Sequence, residues 1–192
     1  MILMSVSELA GKGFEGIEKR IIECTACTLH ETVTNKVISK GSKTPKVVFV
    51  GEAPGKNEDE TGIPFCGRAG KNLDRMIDYM GLSKNEYTVI NTIKCRPPNN
   101  RNPLKKEINA CRPFMLAQIQ ILDPRVIILL GNTAEKAFCS KDKLEWGIPK
   151  TIDNRYSLLK LYHPAALIYQ RSRVDEQNEH IDRNRHLWDM NE

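Results

Sequence analysis

Lys46-Val-Val-Phe-Val-Gly51 is a short run of β-branched and aromatic residues that ends in glycine, and it predicts a β-strand. Three similar runs follow along the chain: Tyr87–Asn91, Arg125–Gly131 and Ser157–Tyr162. Apolar residues at helical spacing occur between the runs, over 73–80, 108–122 and 133–138. Strands that alternate with helices pair in parallel and are covered by helices on both faces, so the sequence predicts an α/β fold.

Parallel sheets place their ligand sites at the carboxyl ends of the strands. Gly51, Asn91, Gly131 and His163 all fall at such ends. We therefore expect the functional site to be built from the loops that follow these strands.

The composition fits one compact domain over residues 1–192. The chain is 40% hydrophobic and 28% charged, enough to bury one sizeable core. A helix is expected over Val6–Ile22. The polar tail from Gln170 is the least structured-looking segment, and its last turns are expected to form a helix through Ile181, Leu187 and Trp188. The longest apolar runs are too short to cross a bilayer, and Met1–Ser5 lacks the features of a secretory signal. We expect a monomer inside the cell, in the cytoplasm and associated with the nucleoid.

Positive charge is concentrated in one segment of the chain. The net charge of the whole protein is +5, which alone does not establish an anionic partner. Between residues 94 and 112, however, Glu107 is the one acidic residue among six basic ones. These are Lys94, Arg96, Arg101, Lys105, Lys106 and Arg112. The segment predicts a surface that faces phosphates.

The six cysteines provide a second signal. Cys24 and Cys27 form a C-x-x-C pair, while Cys95 and Cys111 each precede arginine and proline. Four thiolates bind zinc or a four-iron cluster equally well, and buried cysteines with no ligand are a further alternative. Spacing does not separate these alternatives. We expect the other two, Cys66 and Cys139, to be core thiols.

The stretch from Gly51 to Gly70 leaves a strand through glycines and prolines and enters a helix. It lacks the Gly-Lys-Ser/Thr ending of a P-loop, and its glycine spacing does not match the dinucleotide fingerprint. Its carboxylates at a strand end, Glu52 and Glu58 among them, are suited to positioning water or stabilising positive charge on a sugar. A solvated acidic loop is the alternative.

Four motifs together resemble the family-four uracil-DNA glycosylases. They are Gly51-Glu-Ala-Pro-Gly55, Gly62-x-Pro-Phe65 followed by Gly67-Arg-Ala-Gly70, Asn91-x-x-Lys-Cys-Arg-Pro-Pro98 and His163-Pro-Ala-Ala-Leu167. The resemblance runs from about Cys24 to Leu167. It implies a three-layer α/β/α sandwich around a four-stranded parallel sheet, a four-iron, four-sulfur cluster, and uracil-containing DNA as the partner. The cluster ligands implied are Cys24, Cys27, Cys95 and Cys111.

The resemblance also implies roles for the matched residues. Phe65 would stack on a base flipped out of the helix, Asn91 would read its pyrimidine edge, and His163 would stabilise the departing anion. Ala53 stands where family-one enzymes have a catalytic aspartate, which leaves Glu52, and after it Glu58, as the candidate carboxylate.

The predicted DNA contacts lie in two places. Leu167 occupies the position of an apolar wedge that fills the vacated stack, with Tyr169 or Arg171 as support, and a leucine in the core at a helix start is the alternative. The phosphate contacts predicted from the basic segment are Arg96, Arg101, Lys105 and Lys106.

Two other functions are compatible with the same residues. One is a non-catalytic iron–sulfur module that binds DNA, and the other is a glycosylase for another deaminated base such as hypoxanthine. Neither terminus contains a clear sliding-clamp peptide, so a clamp partner is not indicated.

Overall fold

The computed structural model describes residues 5–139, 143–168, 170 and 172–189. The helices are α1 Val6–Ala10, α2 Gly13–Ile22, α3 Lys56–Thr61, α4 Arg68–Met80, α5 Lys105–Leu122, α6 Gly131–Cys139 and α7 Ser172–Asn184. The strands are β1 Lys40–Gly41, β2 Val47–Gly51, β3 Tyr87–Asn91, β4 Val126–Leu130, β5 Lys150–Ile152 and β6 Tyr156–Leu161. Short 3₁₀ turns cover Thr28–Glu31, Pro98–Asn100, Ala166–Ile168 and Arg185–Leu187.

The described strands form one mixed sheet in the order β1-β3-β2-β4-β6-β5. The four central strands are parallel, as predicted, and correspond to the four apolar runs of the sequence. The predicted number of strands is nevertheless wrong, because β1 and β5 add antiparallel edges and bring the total to six. Both edge strands are short and partly exposed, so neither has the apolar run by which the central strands were recognised.

Side chains alternate across the sheet and build two separate cores. Val47 and Phe49 of β2 pack on one face against apolar residues of α4 and α7. Val48 and Val50 point to the opposite face, where they pack against α5 and α6. This alternation follows from the two-residue period of a strand. The protein is therefore a three-layer α/β/α sandwich, as the sequence predicts.

The helices differ from prediction in two places. The expected helix over Val6–Ile22 is broken into α1 and α2, because Gly13 has a φ of 70°, in the left-handed region, and interrupts the right-handed helical backbone. The acidic loop contains the unpredicted α3, which ends at Gly62 in the left-handed conformation. No helix in the described part of the chain is both long and apolar enough to span a membrane.

Candidate active site

A cleft of about 350 Å³ opens at the carboxyl ends of the central strands. In-register pairing of Gly51 with Asn91 places the ends of β2 and β3 side by side, and the loop after β6 closes the cleft from the other side. Seven of the residues predicted for the site line the cleft: Glu52, Ala53, Glu58, Phe65, Asn91, Arg101 and His163. The cleft thus lies at the carboxyl ends of the strands, where the sequence predicts the functional site.

Asn91 presents an unpaired acceptor to this cleft. Its side chain is buried, and its amide oxygen meets no donor among the described residues. Gly51 permits this arrangement, because a Cβ there would clash with that oxygen and lie 2.6 Å from the Phe65 ring. A buried polar atom without a partner costs free energy, which a ligand that donates a hydrogen bond would recover.

Phe65 is held in a demanding backbone conformation. Its φ is 52°, in the left-handed region that side chains rarely adopt, and its ring is largely buried. Gly70 lets the chain pass close to it, because a Cβ at that position would clash with the Phe65 carbonyl group. The Phe65 ring lies 5.7 Å from the His163 ring, at an interplanar angle of 34°. Two flat rings thus border the cleft together.

The hydrogen bonding of His163 specifies which ring nitrogen carries the proton. The backbone N–H of Ala165 donates to Nδ1 at 3.2 Å, so Nδ1 is the acceptor and the neutral ring carries its proton on Nε2. Burial lowers the pKa of His163, and the nearby charge of Glu52 opposes this shift only in part. The side chain is therefore a neutral donor through Nε2 near neutral pH.

The two candidate carboxylates have different surroundings. Glu52 accepts a hydrogen bond from the Thr133 hydroxyl at 2.5 Å. Glu58 is bound on both oxygens by loop backbone, accepting from the N–H groups of Gly55 and Gly67 at 3.0 Å each. Glu58 thus holds the loop in shape, whereas Glu52 is the carboxylate that interacts electrostatically with His163.

Thr133 was not found by sequence reasoning. It lies in the first turn of α6, directly after β4, at the sheet edge where Gly131 had been placed. The signal available was its position after a predicted strand. A lone threonine in a helical segment carries no pattern that distinguishes it from a surface residue.

The predicted phosphate-facing segment is only partly exposed. Lys94 is 2% exposed and donates to the Asn91 backbone carbonyl at 2.7 Å, so it supports the end of β3. Arg112 donates to the backbone carbonyls of Ala137 and Phe138. The prediction is wrong for Lys94, which is buried, whereas Arg112 is half-buried and uses part of its guanidinium to bind backbone carbonyls.

The four residues predicted to contact phosphate lie around the cleft mouth and the start of α5. Arg101 lines the cleft and forms two hydrogen bonds, at 2.9 and 2.7 Å, with the buried carboxylate of Glu107. Arg96 donates from Nε to the Asn100 side chain at 2.7 Å. The side chains at the start of α5, Lys105 and Lys106, are exposed.

Four cysteines converge beneath this region. A single cavity is lined by Cys24, Cys27, Cys95 and Cys111. Burial is the main cause that raises the pKa of Cys95 to about 12 and that of Cys111 to about 11, so thiolates here require a cationic group. Within the described residues, no three histidine, cysteine, aspartate or glutamate side chains are arranged to hold a metal ion.

The remaining two cysteines behave differently. Cys139 is half-buried and packs against the core. Cys66 is exposed and lies within hydrogen-bonding distance of the Thr61 hydroxyl, so the prediction of a core thiol is wrong there. Cys66 is solvent-facing because it follows Phe65, which takes the buried position in the loop.

Leu167 lies outside the cleft. It is half-buried in the Ala166–Ile168 turn and lines a neighbouring groove between α4 and α7. It is not among the core residues, so the alternative of a core leucine at a helix start is wrong. Tyr169 and Arg171, proposed to support it, fall outside the described residues.

Fold and cleft together define a class of protein: an α/β/α sandwich around a mainly parallel sheet, with a cleft at the carboxyl ends of its central strands. The chain belongs to the uracil DNA glycosylase superfamily, whose family model matches residues 38–190.

Comparison with known proteins supports the same assignment. The chain is 41% identical over 164 residues to a type-4 uracil-DNA glycosylase of Thermotoga maritima, covering 82% of this chain and 84% of that protein. It is 35% identical over 169 residues to the type-4 enzyme of Archaeoglobus fulgidus, with coverage of 83% and 85%. For the Sulfurisphaera tokodaii enzyme the identity is 39% over 166 residues, with coverage of 81% and 76%. The family resemblance of the four motifs is confirmed.

Proposed function

We propose that this protein is a monofunctional glycosylase that flips uracil out of DNA, cleaves its bond to the sugar and leaves an abasic site for base excision repair. The observation that carries the proposal is the convergence of Phe65, Asn91 and His163 on one cleft. Membership of the superfamily and the similarity to type-4 enzymes support it.

Asn91 supplies the specificity for uracil. Its amide nitrogen donates to the 4-carbonyl of the base, and its amide oxygen accepts from the N3–H group. The oxygen is the buried acceptor that has no partner among the described residues, so it suits a base that brings an N–H. Cytosine presents the reverse pattern of donor and acceptor at these two positions, so it would leave both groups mismatched. Phe65 stacks on the face of the base and keeps water away from the edge of the base that Asn91 contacts.

His163 stabilises the leaving group. As the glycosidic bond breaks, negative charge gathers on the uracil ring, and Nε2–H of the neutral imidazole donates to the 2-carbonyl. The Ala165 N–H at Nδ1 fixes the ring orientation for this contact. The hydrogen bond strengthens as charge develops, so it acts mainly in the transition state.

Glu52 acts on the sugar side of the reaction. The transition state resembles a sugar oxocarbenium ion, which a nearby anion stabilises. A water molecule then adds to the anomeric carbon of the sugar, and the proton that it releases neutralises the uracil anion. Thr133 holds this carboxylate in place through its hydroxyl. Ala53 has no carboxylate and cannot act as a general base. We therefore assign electrostatic stabilisation to Glu52, while Glu58 shapes the loop.

The cations around the cleft mouth and the start of α5 bind the DNA backbone. Arg96, Arg101, Lys105 and Lys106 neutralise phosphates near the flipped nucleotide, which offsets part of the few kcal/mol that extrusion of the base costs. The salt bridge to Glu107 pre-orients Arg101 at the cleft. We propose that the protein acts as a monomer on DNA in the nucleoid.

We further propose that Cys24, Cys27, Cys95 and Cys111 hold a four-iron, four-sulfur cluster. All four thiols line one cavity, and their donor chemistry suits iron bound through thiolates. When bound, the cluster would serve a structural role by joining the segment after α2 to the loop after β3, which carries Cys95, and to α5, which carries Cys111.

The cluster predicts a brown protein. Purified anaerobically, it should contain about four iron atoms per chain and show the broad visible absorbance of iron–sulfur centres. Cys95→Ser should lose most of that absorbance, while Cys66→Ser, which changes an exposed cysteine, should retain it. A colourless protein that contains one zinc ion per chain would contradict the cluster.

The function is tested by an assay of abasic-site formation. Oligonucleotides that contain uracil, hypoxanthine or thymine are incubated with the protein, and the abasic product is cleaved with alkali and resolved on a gel. We expect product from uracil alone. Product from hypoxanthine at a similar rate would indicate a broader glycosylase, and no product from any substrate would indicate a non-catalytic DNA-binding module.

A further inference from the structure

A second depression lies beside the active-site cleft. This groove, about 780 Å³ in volume, runs between α4 and α7, and Leu167 and Ile168 lie along it. Its α4 wall carries three cationic side chains, Arg68, Lys71 and Arg75. This α4 wall lies outside the phosphate-facing segment predicted at residues 94–112.

The three cations share one face of the helix. Their spacing of three and four residues brings them into line, and all three are exposed. Within the described residues none of the three cations forms a salt bridge. Among the described residues that line the groove, the acidic one is Asp175, on the opposite wall. The groove is therefore strongly cationic.

The length of this stripe matches a nucleic-acid backbone. Seven residues of α-helix rise about 10 Å. A DNA strand places successive phosphates about 3.4 Å apart along its axis, so the stripe spans about three of them.

The groove is also fixed relative to the cleft. Ala69 of α4 lines the cleft while its neighbour Arg68 lines the groove, so the two depressions lie side by side along the same helix. The Asn72 amide donates at 3.1 Å to the backbone carbonyl of Pro164, the residue after His163. This bond ties the cationic helix to the loop that carries the imidazole.

We infer that the groove between α4 and α7 binds the backbone of the uracil-bearing strand, holding about three phosphates on one side of the flipped nucleotide. The inference rests on the proposed function, because it takes the cleft to be the site of the base. Leu167, on the rim of the groove, would then lie beside the nucleotides next to the vacated position.

The test compares the salt dependence of DNA binding in two variants of the full chain. The groove variant carries Arg68→Gln, Lys71→Gln and Arg75→Gln. The control carries Lys19→Gln, Lys43→Gln and Lys84→Gln, which remove three exposed charges that line neither depression. Both bind an oligonucleotide whose uracil nucleotide resists cleavage, over a range of salt concentrations, and matched melting temperatures show that both are folded.

For the groove variant we expect the magnitude of the slope of log K against log salt to fall by about 2.7, and affinity at about 0.1 M salt to drop roughly tenfold to a hundredfold. The control should keep a slope close to the wild type. An unchanged slope in the groove variant, or an equal change in the control, would overturn the inference.

A second substrate separates this inference from the proposed function. A uracil trinucleotide is too short to fill the groove, so the groove variant should cleave it at the wild-type rate while losing efficiency on long strands. If the wild-type protein cleaves neither substrate, the proposed function fails, whereas the binding slopes still test the groove by themselves.

Discussion

Replacement of His163 by alanine is expected to lower kcat for uracil excision by about 10²–10³ and to change KM by only a few-fold. The imidazole donates to a carbonyl that becomes strongly negative only as the base departs, so its loss affects the transition state more than the bound substrate. Single-turnover rates on a uracil oligonucleotide, with the protein in excess, measure this effect on the chemical step.

The pH dependence identifies the form of the imidazole that acts. Burial lowers the pKa of His163 below its usual 6.5, so the neutral ring persists as the pH falls through that value. Protonation at Nδ1 would remove the acceptor for the Ala165 N–H, which holds the ring in place. We therefore expect kcat to decline only at a pH below the usual pKa of histidine. In His163→Ala this acidic decline should disappear.

The conservative variant His163→Gln provides the control, because its amide retains an N–H donor on a side chain of similar reach. It should lose less activity than His163→Ala. If His163→Ala keeps full kcat, or if both variants are equally impaired with an unaltered pH profile, then the histidine is structural and another donor stabilises the leaving base.

The main features of the fold and the cleft were predictable because they depend on local patterns with general geometric consequences. Runs such as Val47–Gly51 are short and rich in β-branched residues, which favours a buried strand over a helix, and alternation with helices makes the pairing parallel. The carboxyl ends of parallel strands meet at one edge. Asn91 and His163, separated by much of the chain, could therefore be placed together from sequence.

Features that depend on tertiary context were not predictable. Lys94 carries the same charge as Lys105, and sequence gives no sign that one is buried beneath Asn91 while the other is exposed. The carboxylate of Glu58 is one of several in an acidic stretch, and only the folded loop shows it bound by the N–H groups of Gly55 and Gly67.

The cationic stripe of α4 illustrates the same limit. The apolar residues of this helix, such as Leu73 and Met76, predicted its existence and its buried face. Arg68 and Arg75 then had to lie on the outer surface, but the wall that faces them belongs to α7, far along the chain. A groove made by two distant helices has no signature in either segment alone.

Replacement of Asn91 by aspartate is expected to reduce kcat/KM for uracil by at least about a thousandfold, because a site built to hydrogen-bond its substrate strongly rejects a mismatched partner. The carboxylate removes the donor to the 4-carbonyl and places an oxygen opposite it. In a buried position an aspartate pKa rises, so part of the population carries a proton. A protonated carboxyl group donates to N3 of cytosine and accepts from its amino group, so slow excision of cytosine should appear.

Asn91→Ala serves as the matched control, since it deletes both hydrogen bonds without creating the complementary pair. It should lose uracil excision and gain no activity on cytosine. Abasic-site yields from matched uracil and cytosine oligonucleotides, compared across the wild type and the two variants, give the ratio of the two activities directly. A wild-type rate on uracil in Asn91→Asp would show that this carboxamide does not read the base, and recognition would then have to come from the backbone around the cleft.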